Sequence, residues 1–499
     1  MKGWEARGGS GRVALLSPYD GGNLGDAAIQ EALIAGFRRC DPQIWLCGVT
    51  LYPGGTSARH HIPCYPLAAT SRPHYRITRV NDEKRDGVHS SPTPEAAVSL
   101  FGRLRRLARS GRFAVWIRIL IDEAVHVIRS YRLLRKVDVL VIAGGGQLDE
   151  EWGGSWAHPY ALMKWSVLAR AAGSSVVFLC VGACRIESRL TRLFLRTALS
   201  LACYRSYRDA ESRRLALGIT LRADGLVVPD LAFSLSAASI EPSRRAEGAA
   251  FHVGVSPIAY GHAGLWPTAD QVQYERYIAE LACFVREILR SGDSVTLFSS
   301  SSPDDQIFID LHKNVGLGLD SASRGQLFTS TVGTVGELLA VLHSVDLVVA
   351  SRLHGVLLSF LSGKPAIAIS YDRKVTCLME ELGQATYCVD IRSFKTHYLL
   401  ERLSVLRAHS EVMQSTVAAT CRQYLEILQK QYQDITQLAL GRRRRQAPRN
   451  PTVFLEEEIC AGTPEIGRLG LGQPGEPSSV SAPVAPGTSN RDEMSYGKQ

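Results

Sequence analysis

Cysteine pairs at metal-binding or redox spacing are missing from this chain. Its 11 cysteines include no CxxC, which argues against a zinc site or a disulfide framework and points to a reducing, cytoplasmic setting. No GxxxxGK[ST] occurs, which sets aside P-loop phosphate chemistry. A GxGxxG string is present at Gly470–Gly475 but contains Pro474. No strand pattern precedes it and no helix pattern follows, so it is not read as a dinucleotide site. Long apolar runs are also lacking. None reaches the roughly 18 residues of a membrane span, and the best stretch, Phe113 to Ile128, is broken by Arg118, Asp122 and Glu123. The start of the chain has no signal-peptide pattern, because Val13–Leu16 is too short for an apolar core.

What is there is a 499-residue chain, 45% hydrophobic, with a mean hydropathy of -0.02. That length suits two or three globular domains. The formal net charge is +9, and it is concentrated. Between Phe101 and Lys136 stand ten Lys and Arg against Asp122 and Glu123. No nucleic-acid recognition motif accompanies this charge, so no nucleic-acid partner is expected.

Short apolar runs alternate with helical patterns along most of the chain. The runs are Val13–Leu16, Ile44–Val49, Val137–Ile142, Val176–Val181, Val253–Ser256, Val295–Phe298, Leu347–Ala350 and Ala366–Ile369. Several are followed by Gly-rich or polar turns, which is the βαβ pattern of open parallel sheets. The polar stretch Ile240–Gly248 interrupts the alternation near its midpoint and reads as a hinge. The expected α/β architecture is therefore two doubly wound, Rossmann-like domains. The first follows a short N-terminal tail (1–12) and covers 13–240, with a basic insertion at 70–136. The second covers 241–440, with Val412 to Leu440 as a long closing helix. The Pro/Gly/Ser-rich remainder, 441–499, begins with GRRRR and reads as a disordered tail.

In doubly wound domains ligands bind beyond the carboxyl ends of the strands, and four stretches fall there. The first is Ser17 to Asp26, before a helix expected over Ala27–Phe37; Asp26 also suits a helix N-cap, whereas Asn23 has no comparable local role. The second is Gly144-Gly145-Gly146, either a tight strand-to-helix turn or room for a ligand. The third is Ser206 to Ser212, in which Arg208 and Asp209 either pair with each other or serve a ligand. An exposed pair of that kind contributes only about 0–1 kcal/mol. The fourth is Ser351-Arg352-Leu353-His354-Gly355 with Ser370-Tyr371-Asp372-Arg373-Lys374, at the ends of two apolar runs. A helix starting near Gly355 offers free N–H groups to an anion, and Arg352 adds a planar fork suited to carboxylate or phosphate. Arg352, His354 and Lys374 together point to an anionic ligand.

The ordered set GNLGD (22–26), VLVIAGGGQLDE (139–150), YRDAESRRLALGI (207–219), PDLAF (229–233) and SRLHGVLLSFLSGKPAIAISYDRKV (351–375) resembles the polysaccharide pyruvyl transferase family. The resemblance runs from about Val13 to Gly383. It implies a fold like that of the two-domain glycosyltransferases (GT-B-like), with the site in a central cleft. It also implies transfer of pyruvate from phosphoenolpyruvate to a sugar of a cell-surface polysaccharide or its lipid-linked precursor. Arg352, Leu353, His354 and Arg208 would then hold the donor. No cofactor or metal is expected, since a general acid and an anion clamp suffice for ketal formation. His354 is the expected acid and Asp26 the expected base for the acceptor hydroxyl. The insertion 70–136 and the tail have no place in the family pattern. Residues 101–136 suggest peripheral contact with the inner membrane face. Two other readings remain: a nucleotide-sugar glycosyltransferase of the same shape, and a non-catalytic basic membrane-associated protein.

Overall fold

The structure is a computed structural model that describes residues 11–19, 21–69, 112–150, 153–235, 250–266, 268–301, 305–317 and 319–441. The expected hinge, the tail after 441, the GxGxxG string and most of the insertion lie outside these residues. Both sheets belong to one compact unit, Met1–Thr452.

The first sheet contains β1 (Arg12–Leu16), β2 (Trp45–Thr50), β3 (Cys64–Pro66), β4 (Val139–Ala143), β5 (Ser175–Val181), β6 (Tyr204–Tyr207) and β7 (Leu226–Val227). Its order is β3-β2-β1-β4-β5-β6-β7, and its neighbours pair in parallel, as in Val13↔Val139 and Val139↔Ser175. The second contains β8 (His252–Ser256), β9 (Ser294–Phe298), β10 (Leu327–Ser330), β11 (Leu347–Ala350), β12 (Ala366–Ser370) and β13 (Cys388–Asp390), in the order β10-β9-β8-β11-β12-β13. The central strands are apolar at consecutive positions because helices cover both faces; every residue of β4, β5, β11 and β12 is buried. This is the doubly wound α/β architecture expected from the alternation. The short strands β3, β6, β7, β10 and β13 carry too few consecutive apolar residues to stand out in the sequence.

In each sheet the strand order reverses once, between β1 and β4 and between β8 and β11. A crevice opens where the order reverses. GNLGD and the triple glycine follow the first pair, and the RLH residues follow β11.

The long helix Ser410–Gly441 belongs in sequence to the second half but packs on the first sheet. Its Tyr432 lies against Gly36, where a built Cβ would approach ring carbon Cε2 to 2.4 Å, and its hydroxyl is 2.8 Å from Ser234 Oγ. Gln431 donates to Tyr204 Oη at 2.8 Å and to Ser206 Oγ at 2.9 Å. The helix thereby ties the second half of the chain to the first.

Candidate active site

Asn23, and not Asp26, caps the first helix. The helix runs Leu24–Cys40, and the Asn23 side chain accepts from Gly25 N at 2.9 Å. Asp26 sits in the first turn, where a carboxylate favours the positive helix end, and receives Asn23 Nδ2 at 3.1 Å. The sequence reading had these two local roles reversed.

The same turn meets the second sheet directly. Leu24 N donates to Ser300 O at 3.0 Å, and Asn23 bridges Ser301. Gly25 is the point of closest approach, since a Cβ there would come within 2.2 Å of His354 Nδ1. Its lack of a side chain makes room for the imidazole.

The triple glycine divides in its duties. Gly144 and Gly145 adopt φ of 51° and 63°, a left-handed backbone that favours glycine. A Cβ at Gly144 would meet Ile29 Cγ2 at 2.7 Å, so that position serves a tight, packed turn. Gly145 borders Asp26, whose Oδ1 would lie 3.3 Å from its Cβ. At Gly146 the nearest such atom is Asp149 Oδ2 at 4.0 Å.

Arg208 leaves the tip of β6 and pairs with the adjacent Asp209, Nε to Oδ2, at 3.4 Å. Asp209 also caps the following helix by accepting from Ser212 N. The guanidinium passes over Gly182, where a Cβ would lie 2.7 Å from Nη2. It then reaches Asp230, with Nη1 3.7 Å from Oδ2.

Asp230 is the residue that sequence reasoning passed over. It sits in the quoted PDLAF stretch, but nothing local marks it as different from its ordinary duty of capping Leu231–Ser234, with Oδ1 accepting from Ala232 N at 3.0 Å. Only 3% exposed, it also faces His354 Nε2 from Oδ2 at 3.8 Å. That is an ion-pair separation longer than a hydrogen bond. Asp230 Oδ2 and His354 Nε2 therefore make no hydrogen bond to protein and retain capacity for a ligand. Burial would raise the Asp230 carboxyl, but His354, Arg208 and the Ala232 N–H outweigh it and hold it below the usual range. Burial likewise opposes the charge of Arg208, and Asp230 and Asp209 more than restore it.

Arg352 occupies the N-cap position of the helix Leu353–Leu361, and His354 lies in its first turn. Two buried hydroxyls, Ser256 Oγ and Ser300 Oγ, make no hydrogen bond to protein; each would lie 3.9 Å from a Cβ on Gly355. Lys374 opens the helix Arg373–Glu381, with Nζ 3.8 Å from Asp372 Oδ2 and 5.1 Å from the Tyr371 ring centroid. Burial opposes its charge, but Tyr371 and Asp372 raise it on balance.

A narrow pocket between the strand ends of the two sheets is lined by Arg208, Asp209, Asp230, Leu353, Lys374 and Glu381, among others. Arg208 and His354 thus share one buried carboxylate, Asp230, and Lys374 lines the same pocket as Arg208 and Asp230. Glu381 is exposed at the residue level, yet its carboxyl is crowded by protein; loss of solvent and the nearby Asp209 push it up to about 7. Among the described residues no group of three or more His, Cys, Asp or Glu is placed to hold a metal ion, and no helix is long and apolar enough to cross a membrane.

A family model described as polysaccharide pyruvyl transferase matches residues 23–373, well over half of the chain. No curated protein matches significantly. Similar solved structures include the UDP-GlcNAc 2-epimerase of Methanocaldococcus jannaschii, with TM-score 0.46 and 9% identity over 79% of this chain and 92% of that one. The UDP-GlcNAc 2-epimerase of Neisseria meningitidis bound to UDP-GlcNAc gives 0.48 and 10%, over 81% and 94%. A glycosyltransferase from Rickettsia africae gives 0.48 and 7%, over 86% and 99%.

Proposed function

The chain belongs to the polysaccharide pyruvyl transferase family, and on that premise we propose that it moves the pyruvyl group of phosphoenolpyruvate onto a sugar as a cyclic ketal. The acceptor is a cell-surface polysaccharide or its lipid-linked precursor, met in the cytoplasm at the inner membrane face. The observation that carries this reading is the convergence of Arg208 and Lys374 on one pocket lined by the buried Asp230, which His354 Nε2 faces. A donor with both a carboxylate and a phosphate calls for several cations at once.

In this reading Arg352, Arg208 and Lys374 hold the two anionic groups, with the free N–H groups at Leu353 and His354 assisting. Protonated His354, paired with Asp230, delivers its proton to the methylene carbon of the donor. The neighbouring carbon becomes electrophilic and is attacked by a sugar hydroxyl, whose proton passes to Asp26. The C–O bond to phosphate then breaks, phosphate leaves with the bonding pair, and a second hydroxyl closes the ketal as its proton is lost. Asp26 is suited to this part because it is one residue beyond Gly25, which packs on His354. The proton inventory needs no redox partner.

A nucleotide-sugar glycosyltransferase would use the same two-sheet architecture, so the donors must be compared directly. Incubation with phosphoenolpyruvate and a sugar acceptor should release inorganic phosphate and add one pyruvyl unit to the sugar by mass. Release of nucleotide from a sugar nucleotide, with none of phosphate from phosphoenolpyruvate, would replace this reading with the glycosyltransferase one.

A further inference from the structure

The helix Arg112–Leu134 buries polar side chains and exposes apolar ones along its middle. A surface helix ordinarily buries an apolar stripe and exposes its polar face. Here the buried side carries polar His126 and Ser130 ahead of Leu133 and Leu134. His126 and Ser130 are 7% and 4% exposed. Glu123 accepts from Lys164 Nζ at 2.9 Å and from Tyr160 Oη at 3.1 Å. Lys164 Nζ is 3.2 Å from His126 Nδ1, and His126 Nε2 is 3.0 Å from Pro66 O.

The outer side is apolar. Ile117, Leu120, Ile121, Val125 and Ile128 are 41%, 66%, 56%, 38% and 51% exposed. At 3.6 residues per turn these positions form one continuous stripe. Isolated exposed apolar residues are ordinary, but a contiguous patch marks an interaction surface.

The charges beside the stripe identify the partner. Arg118, Arg129, Arg132, Arg135 and Lys136 are all exposed; by helical angle Arg118 and Arg129 flank the stripe, and Arg132 and Arg135 extend it. The acids of this helix are Asp122 and Glu123, and Glu123 is turned inward onto Lys164. An apolar stripe rimmed by cations complements a surface with an apolar interior and an anionic skin. We propose that this helix lies flat in the surface of an anionic phospholipid bilayer, with Ile117–Ile128 among the acyl chains and the arginines on lipid phosphates. The long arginine stems let the guanidinium groups reach the headgroups while the helix axis stays low. Charge alone would hold the chain only loosely; the apolar stripe supplies the part of the attraction that salt does not screen. The helix contributes no lining residue to the strand-end pocket, so the inference holds whichever donor the pocket takes.

The test is co-sedimentation of the full chain with phosphatidylcholine vesicles, with and without phosphatidylglycerol, alongside the double variant Leu120→Glu/Ile121→Glu. Each large aliphatic side chain contributes about tenfold or more to partitioning. The double variant should therefore bind phosphatidylglycerol vesicles at least about tenfold more weakly, with an unchanged melting temperature. Wild-type binding should also keep a salt-resistant fraction that the variant lacks. Equal binding by variant and wild type overturns the proposal, as does absence of wild-type binding. A wild-type dimer that the double variant renders monomeric would show that the stripe is a protein interface and likewise overturn it. Binding abolished by neutralising Arg103, Arg105, Arg106 and Arg109, yet untouched by the double variant, would assign the membrane contact to the preceding segment instead.

Discussion

Asp230→Asn is the substitution that isolates the electrostatics of the pocket. The amide has the shape of the acid, and its Oδ1 can still accept from Ala232 N, so the cap on Leu231–Ser234 is kept. What is lost is a charge 3.8 Å from His354 Nε2 and 3.7 Å from Arg208 Nη1. Two unit charges at that separation attract by about 4 kcal/mol at an effective dielectric of 20. Arg208 retains Asp209 at 3.4 Å, whereas no second acid is paired with His354 among the described residues. The protonated imidazole therefore bears most of the loss. Phosphate release from phosphoenolpyruvate by variant and wild type reads out that loss. Turnover at neutral pH should fall by about 10²-fold, the lower end of what a positioned acid contributes. A folded Asp230→Asn protein with the wild-type rate would refute the coupling of Asp230 to His354.

Arg352→Lys keeps a charge but loses the fork; with a charge-assisted hydrogen bond worth about 1.5–3 kcal/mol, donor binding by calorimetry should weaken about tenfold to a hundredfold. His354→Ala should lower turnover by about 10²–10⁴-fold while the protein stays folded; unchanged turnover would remove His354 from the chemistry. Gly25→Ala places a Cβ within 2.2 Å of His354 Nδ1, so it should displace the ring and depress turnover more than donor affinity. Glu381, raised by burial and Asp209 to about 7, is neutral below that pH and repels an anionic donor above it. Donor affinity should fall as pH rises through about 7, and Glu381→Gln should flatten that dependence. The same raised value means that its contribution to stability is full below the unfolded carboxyl pKa of about 4.3 and is lost as pH rises through the folded value.

Backbone hydrogen-bonding demands and side-chain burial act over a few residues, and these the sequence wrote legibly. Apolar runs such as Val176–Val181 and Leu347–Ala350 had to become central parallel strands, because no other arrangement buries consecutive side chains on two faces. The turns after them, GNLGD, the triple glycine and RLHG, had to lie at strand ends, where doubly wound sheets bind ligands. The alternation therefore indicated two such sheets, and the ordered motifs indicated the family. Which of those turns touch one another was decided only by folding. Asn23 rather than Asp26 became the helix cap because the helix begins at Leu24, a boundary difference of three residues that local propensity does not fix. Gly25 proved to be a seat for His354, 329 positions away in sequence. Asp230, locally an ordinary cap, became a shared counter-charge because β6, β7 and the helix after β11 bring Arg208 and His354 to it. The exposed apolar stripe Ile117–Ile128 was likewise hidden, since a helical period shows that one side is apolar but not which side the rest of the protein covers. Charge pairing and close packing depend on distance in space, which chain separation leaves free until the sheets are stacked.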